Sequence, residues 1–183
     1  MRVTKELRAT AYHEAGHAVA AWHEHLPIRA VSVIADDDTL GRVHHPPSPA
    51  SFRPDIDAGP RARTRIEAHA IAFLAGTHAE RLVVQRVSDA SWSEDRRRAG
   101  ALLSYLCGSA EEEGAYWNLM NIRARGLMKQ DQLRPALDAL AAALLEHRRL
   151  SGRRARQIIL EALGLTELDV TLRRIAAGQK VAS

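Results

Sequence analysis

The stretch Ala11-Tyr12-His13-Glu14-Ala15-Gly16-His17-Ala18-Val19-Ala20 carries the pattern H-E-x-x-H within a run of small residues and helix formers. Four residues turn a helix by about 400°, so His13 and His17 stand one above the other on one face. Their Cβ atoms then lie roughly 5–6 Å apart, which lets both imidazoles reach one metal ion. Zn²⁺ is the usual occupant of such a pair, with one position left for water. Glu14 follows the first histidine and can reach that water as a general base. A five-residue pattern also arises by chance, and a histidine on an apolar face is commonly a core residue. The neighbours favour the metal: Tyr12 precedes the motif, and Ala15, Gly16, Ala18 and Ala20 let a second element approach closely.

Working outward, the helix is expected to run from about Lys5 to Leu26 and to stop at Pro27. Ile28–Ile34 is β-branched and alternating, so it reads as a strand. Asp36-Asp37-Asp38 makes a turn, and Thr39–Val43 a second short strand pairing with the first as a hairpin. His45–Pro60, with its many prolines, is a loop. Downstream the pattern is helical: a long helix from Arg61 through Leu82 and Val83 with Gly76 inside it, then a link over 86–93. Ser93 is expected to cap a helix over Glu94–Cys107, and Ser109 with Glu111, Glu112 and Glu113 to open another. Amphipathic helices follow over Gln132–Leu150 and Ser151–Leu163, and a short one over Thr166–Ala177. The fold class is therefore α+β, mostly α-helical, with a small β-hairpin beside the H-E-x-x-H helix. No repeat or internal boundary divides residues 1–183, so one domain is expected.

Composition narrows the classes. A chain of 183 residues with 46% apolar content can bury a substantial core. No apolar run approaches the roughly 18 residues of a membrane span, and the first residues lack a signal-type hydrophobic stretch. Cys107 is the single cysteine, so no intrachain disulfide can form, and a cytoplasmic setting is expected. The formal charge of +4 comes largely from arginine clusters at Arg96–Arg98, Arg148–Arg149 and Arg153–Arg156. These alternate with Leu, Ala and Ile at helical spacing, the habit of a solvated helix face, so a nucleic-acid partner is not expected.

A catalytic zinc needs a third protein ligand. His23 has the spacing of the longer pattern H-E-x-x-H-x-x-G-x-x-H, but the turning glycine is replaced by Ala20. On an unbroken helix His23 would lie about 15 Å along the axis from His13. Carboxylates and His78 in the helical half remain as candidates.

At this point the chain resembles the peptidase domain of the FtsH-type AAA+ zinc proteases. The resemblance is carried by A-Y-H-E-A-G-H-A-V, by Leu40-Gly41, by Leu74-Ala75-Gly76-Thr77-His78-Ala79-Glu80 and by Ser93-Glu94-Asp95. Leu137–Ala141 and Leu144–Glu146 extend it to about residue 163, leaving 164–183 as a C-terminal extension. It implies a zinc endopeptidase in which His13, His17 and Asp95 are the metal ligands and Glu14 the catalytic base. Glu80 matches a family carboxylate close to the metal and is expected to orient a ligand from outside. The strand holding Leu40, Gly41 and Arg42 is expected to bind extended polypeptide substrate by strand addition. The chain departs from the family in having no G-x-x-x-x-G-K-[ST] phosphate loop. A separate AAA+ ATPase or self-association into a homo-oligomer is the partner this implies. The rival expectation is a catalytically silent binding or regulatory module of the same fold.

Overall fold

A computed structural model describes residues 3–34, 42–44, 59–84 and 89–176. Helix α1 spans Lys5–His23 and is opened by Thr4, whose hydroxyl accepts from the Leu7 amide at 3.2 Å. It ends before Pro27 is reached, a correction to the expected end at Leu26. His25 turns left-handed at φ 59°, and the Leu26 amide donates back to the Ala21 carbonyl at 2.8 Å, closing the helix in a Schellman-type turn.

Strand β1 (Ala30–Ser32) is shorter than expected and lies at the centre of a three-stranded antiparallel sheet, in the order β2-β1-β3. Its partner β2 (Arg42–His44) sets Val31 opposite Val43, so the expected hairpin pairing holds. Asp36–Asp38, Thr39, Leu40, Gly41 and the proline-rich stretch 45–58 lie outside the described residues. The third strand, β3 (Arg149–Ser151), was not foreseen: it sets Leu150 opposite Val31 on the other edge of β1. The expected helix over Gln132–Leu150 is instead a 3-10 turn (Asp131–Leu133) followed by α5 (Arg134–His147). Arg148 reverses the chain at φ 63°, and Ser151 then caps α6 (Gly152–Ala162).

The long helix α2 (Pro60–Glu80) begins with proline in its first turn, where the missing N–H is no loss. Helix α3 (Asp89–Leu103) starts earlier than expected, so Ser93 lies inside it and is not its cap. Nothing in Asp89-Ala90-Ser91-Trp92 breaks a helix, and an aspartate suits the positive N-terminal end of the dipole. The helix stops at Leu103 and tightens into a 3-10 turn (Ser104–Leu106) before Cys107. Ser109 does cap α4 (Ala110–Met128), accepting from the Glu112 amide at 3.1 Å. A last helix, α7 (Glu167–Ala176), follows Thr166.

Helix α1 is the centre of the packing, with α2 on one side and α5 on another, while α3 and α4 lie against α2. Ala11, Ala15, Ala18, Val19 and Ala20 are wholly buried. Small side chains on α1 let the backbones come close: a Cβ on Gly16 would collide with Ala79 Cβ and sit 3.0 Å from the Ala75 carbonyl. Ile66, Leu103, Met120, Leu140, Leu144 and Ile159 fill the remaining core. The architecture is mostly α-helical α+β, as the sequence implies. No helix among the described residues is long and apolar enough to cross a membrane.

Candidate metal centre

The buried face of α1 presents His13, Glu14 and His17, exposed by only 5%, 4% and 7%. Burial of three polar side chains in an alanine-lined core requires partners for each. His13 Nδ1 lies 3.0 Å from Glu80 Oε2, at the last residue of α2. His17 Nδ1 lies 2.8 Å from the Ala72 carbonyl oxygen, two turns earlier on the same helix. A carbonyl oxygen only accepts, so His17 carries its hydrogen on Nδ1; the Glu80 carboxylate asks the same of His13.

Each ring therefore turns Nε2 the other way, and both Nε2 atoms face one carboxylate oxygen. Asp95 Oδ2 is 3.1 Å from His13 Nε2 and 3.0 Å from His17 Nε2. The two rings meet edge-on, with centroids 4.6 Å apart. The three candidate donor atoms lie within 4.8 Å of one another. Asp95 reaches them from the second turn of α3, not from a first turn capped by Ser93.

This donor set fits a zinc ion. Two imidazole nitrogens with hydrogens fixed on Nδ1, and one carboxylate oxygen, converge as lone-pair donors that repel unless a cation lies among them. In the metal-free protein protons must supply that positive charge. Burial by itself lowers the His13 pKa, but hydrogen bonds to Asp95 and Glu80, with the Glu14 and Asp95 charges, push it up to about 10. For His17, burial is again the largest influence and lowers the pKa, yet the Asp95 charge leaves it raised overall. Burial works to raise the Asp95 pKa, and the two imidazoliums override it, holding the carboxyl well below its ordinary range.

Glycine at 76 makes the room for this arrangement. A Cβ there would stand 2.5 Å from His17 Cε1 and Nε2, and 3.0 Å from His13 Cδ2. The sequence marks Gly76 as a site of close approach; what approaches it is the pair of imidazoles. The Ala72 carbonyl has no sequence signal, because a backbone oxygen carries no side-chain signature.

The other candidates lie elsewhere. His23 is half-exposed and pairs with Glu24 at 3.0 Å. His78 bonds Asn121 Oδ1 through Nε2 at 2.9 Å, on another face of α2. Arg42 is in β2, opposite Ser32, whereas Leu40 and Gly41 are outside the described residues.

No curated protein matches the chain. Peptidase family M41 matches residues 1–104, more than half of the 183, which include His13, Glu14, His17, Glu80 and Asp95. Leu137–Ala141 and Leu144–Glu146 fall outside the matched residues. The resemblance to the FtsH-type peptidase domain is thereby borne out, and the chain belongs to Peptidase family M41, a family of metallopeptidases.

Proposed function

We propose that the chain is a zinc-dependent endopeptidase that cleaves unfolded or extended polypeptides. His13, His17 and Asp95 would hold the ion through Nε2, Nε2 and Oδ2, and Glu80 would fix the His13 ring from behind. The supporting observation is the convergence of these three atoms while both Nδ1 atoms are committed to acceptors. When bound, the zinc supplies a Lewis acid for the scissile carbonyl and lowers the pKa of water.

The remaining chemistry belongs to the chain. Glu14, buried beside both imidazoles, takes the proton of the attacking water and delivers it to the leaving amine nitrogen. Among the described residues β2 pairs with β1 alone, and an extended substrate would add as a strand along its other edge. Main-chain pairing there favours substrates without a fixed fold, with Leu40, Gly41 and Arg42 as the expected contacts. The single cysteine suits a cytoplasmic setting.

Metal analysis of the purified chain, paired with casein cleavage by wild type and Glu14→Gln, tests the proposal. One zinc per chain is expected in both proteins, with cleavage lost by about 10²–10⁴-fold in the variant, the usual contribution of a general base. Zinc retention without any wild-type cleavage would favour the silent binding module. Undiminished cleavage by Glu14→Gln would move the base elsewhere.

A further inference from the structure

Helix α4 is fixed to α2 along one face, where Tyr116 and Arg123 both bond Glu67 and Met120, Ala124, Leu127 and Met128 are buried. Turning about 100° per residue from Ile122, the residues Met120, Ala124 and Leu127 lie about 140–160° away. Ala115, Asn118 and Gly126 lie within about 40° of Ile122, and Leu119 at about 60°. These five share the outer face and all are exposed, Leu119 by 40% and Ile122 by 55%. A single exposed leucine is ordinary, whereas an apolar stripe along the outside of a helix has the form of a contact surface. Gly126 adds to it. A Cβ there would meet nothing within 4 Å among the described residues, so no contact within them calls for glycine, which weakens a helix interior relative to alanine.

Charge says what the stripe fits. Glu111 continues it at the start of α4, and Arg125 and Lys129 continue it at the end. All three are exposed, and none forms an ion pair among the described residues. Arg123, by contrast, is held by Glu67 at 2.8 Å. Acid, apolar middle and base in that order suit the helix dipole, and they also make the face complementary to its own reverse. A second α4 turned end for end about a point midway between Leu119 and Ile122 sets Leu119 against Ile122 and Ala115 against Gly126. Glu111 stands about 14 Å before that point and Lys129 about 13 Å after it, so each carboxylate meets the other copy's ammonium.

We propose that two copies of this chain pair through α4, antiparallel about a two-fold axis, with Leu119 and Ile122 at the centre and a Glu111–Lys129 pair at each end. The same patch serves both partners, so assembly closes at two chains. The small residues Ala115 and Gly126 let the helix axes approach within the close end of the usual 8–10 Å range, whose value depends on the side chains at the contact. A contact one helix long is smaller than a standard interface, so the dimer is reversible. The inference does not depend on the peptidase proposal.

The test is sedimentation velocity of the purified full chain across a concentration series in low salt. A molar mass rising from one chain to two is expected in wild type. Ile122→Glu sets two like charges at the dyad and should weaken pairing by at least about tenfold. Circular dichroism checks its fold, and Ile122→Gln serves if the charged variant is unfolded. Glu111→Lys or Lys129→Glu alone should weaken pairing by about twofold or more, because each pair occurs twice across the axis. Glu111→Lys with Lys129→Glu should restore it, which damage to α4 would not do. A single chain at every concentration would overturn the proposal and leave the stripe to another segment or another partner. Assembly beyond two chains, or a dimer indifferent to Ile122→Glu, would also overturn it. Loss through Ile122→Glu without rescue by the charge exchange would overturn the antiparallel pairing.

Discussion

His13 Nδ1 and Glu80 Oε2, 3.0 Å apart and both buried, join the middle of α1 to the end of α2. A carboxylate behind a ligating histidine fixes the ring and its hydrogen, so its loss weakens a metal without removing a ligand. Glu80→Ala is therefore expected to lower zinc affinity by about 10–100-fold. Asp95→Ala, which removes a proposed direct donor, should lower it further. Competition with a graded series of chelators gives both values; if Glu80→Ala empties more readily, the two carboxylates exchange roles.

Two glycines at the α1–α2 contact predict different failures. In an ordinary helix interior, glycine to alanine stabilises by about 1 kcal/mol. At Gly76 the added Cβ meets His17 and His13, so Gly76→Ala should stay folded and lose zinc. At Gly16 it meets Ala79 and the Ala75 carbonyl, so Gly16→Ala should force the helices apart and lower the melting temperature. Zinc content and thermal denaturation, measured on both variants, separate the two effects.

Proton release should accompany zinc uptake. The metal-free His13 pKa of about 10 exceeds its ordinary 6.5, so the bound proton stabilises the metal-free fold fully below 6.5. That contribution is lost as pH rises through about 10. The depressed Asp95 pKa acts in the opposite sense, with stabilisation present above 3.8 and lost as pH falls through the folded value. Zinc must displace the His13 proton, so at pH 7 binding should release roughly one proton or more, and affinity should climb with pH. Calorimetry in buffers of different ionisation enthalpy counts the protons. A count of zero would mean that neutral imidazoles already face Asp95.

Tyr12, next to the metal motif, works on the opposite side of α1. Its hydroxyl donates to Asp138 Oδ1 on α5 at 2.7 Å, while Arg134 holds the same carboxylate at 2.9 Å. Tyr12→Phe removes one hydrogen bond and leaves Asp138 paired. The expected loss is about 1 kcal/mol, or roughly 2–4 °C in melting temperature for a chain of this size. Zinc content should not change; a drop in it would show that the α1–α5 contact also sets the histidine positions.

What the sequence made legible was the part written in side chains at fixed spacing. His13 and His17 are four apart on a helix with no breaker, so their shared face follows from helix geometry. Ser109 and Ser151 announced α4 and α6 because a hydroxyl that can cap leaves a recognisable mark. Asp95 was different, since nothing in its own surroundings points to a metal and only the family resemblance singled it out. The turn at Arg148 was hidden for a plainer reason. Left-handed backbone is usually announced by glycine or asparagine, and here an arginine adopts it, so α5 seemed to run on through β3. Leu150 and its neighbours are too few to show an alternating pattern. Pairing along β1, a long-range contact, makes them a strand.

That strand has a consequence for the order of synthesis. Every candidate metal-binding side chain has left the ribosome once Asp95 has, yet β1 then has one edge open and α1 lacks its cover. The strand that fills the edge and the helix that packs over Tyr12 arrive only with Arg134–Ser151. Gly152 locks that closure, because its backbone lies so near the Ile28 carbonyl that no side chain fits between them. Until then the nascent chain shows its alanine-rich helix and an unpaired strand edge to whatever is nearby. A message truncated after residue 104 would encode all five candidate residues without α4, α5 or the strand that completes the sheet.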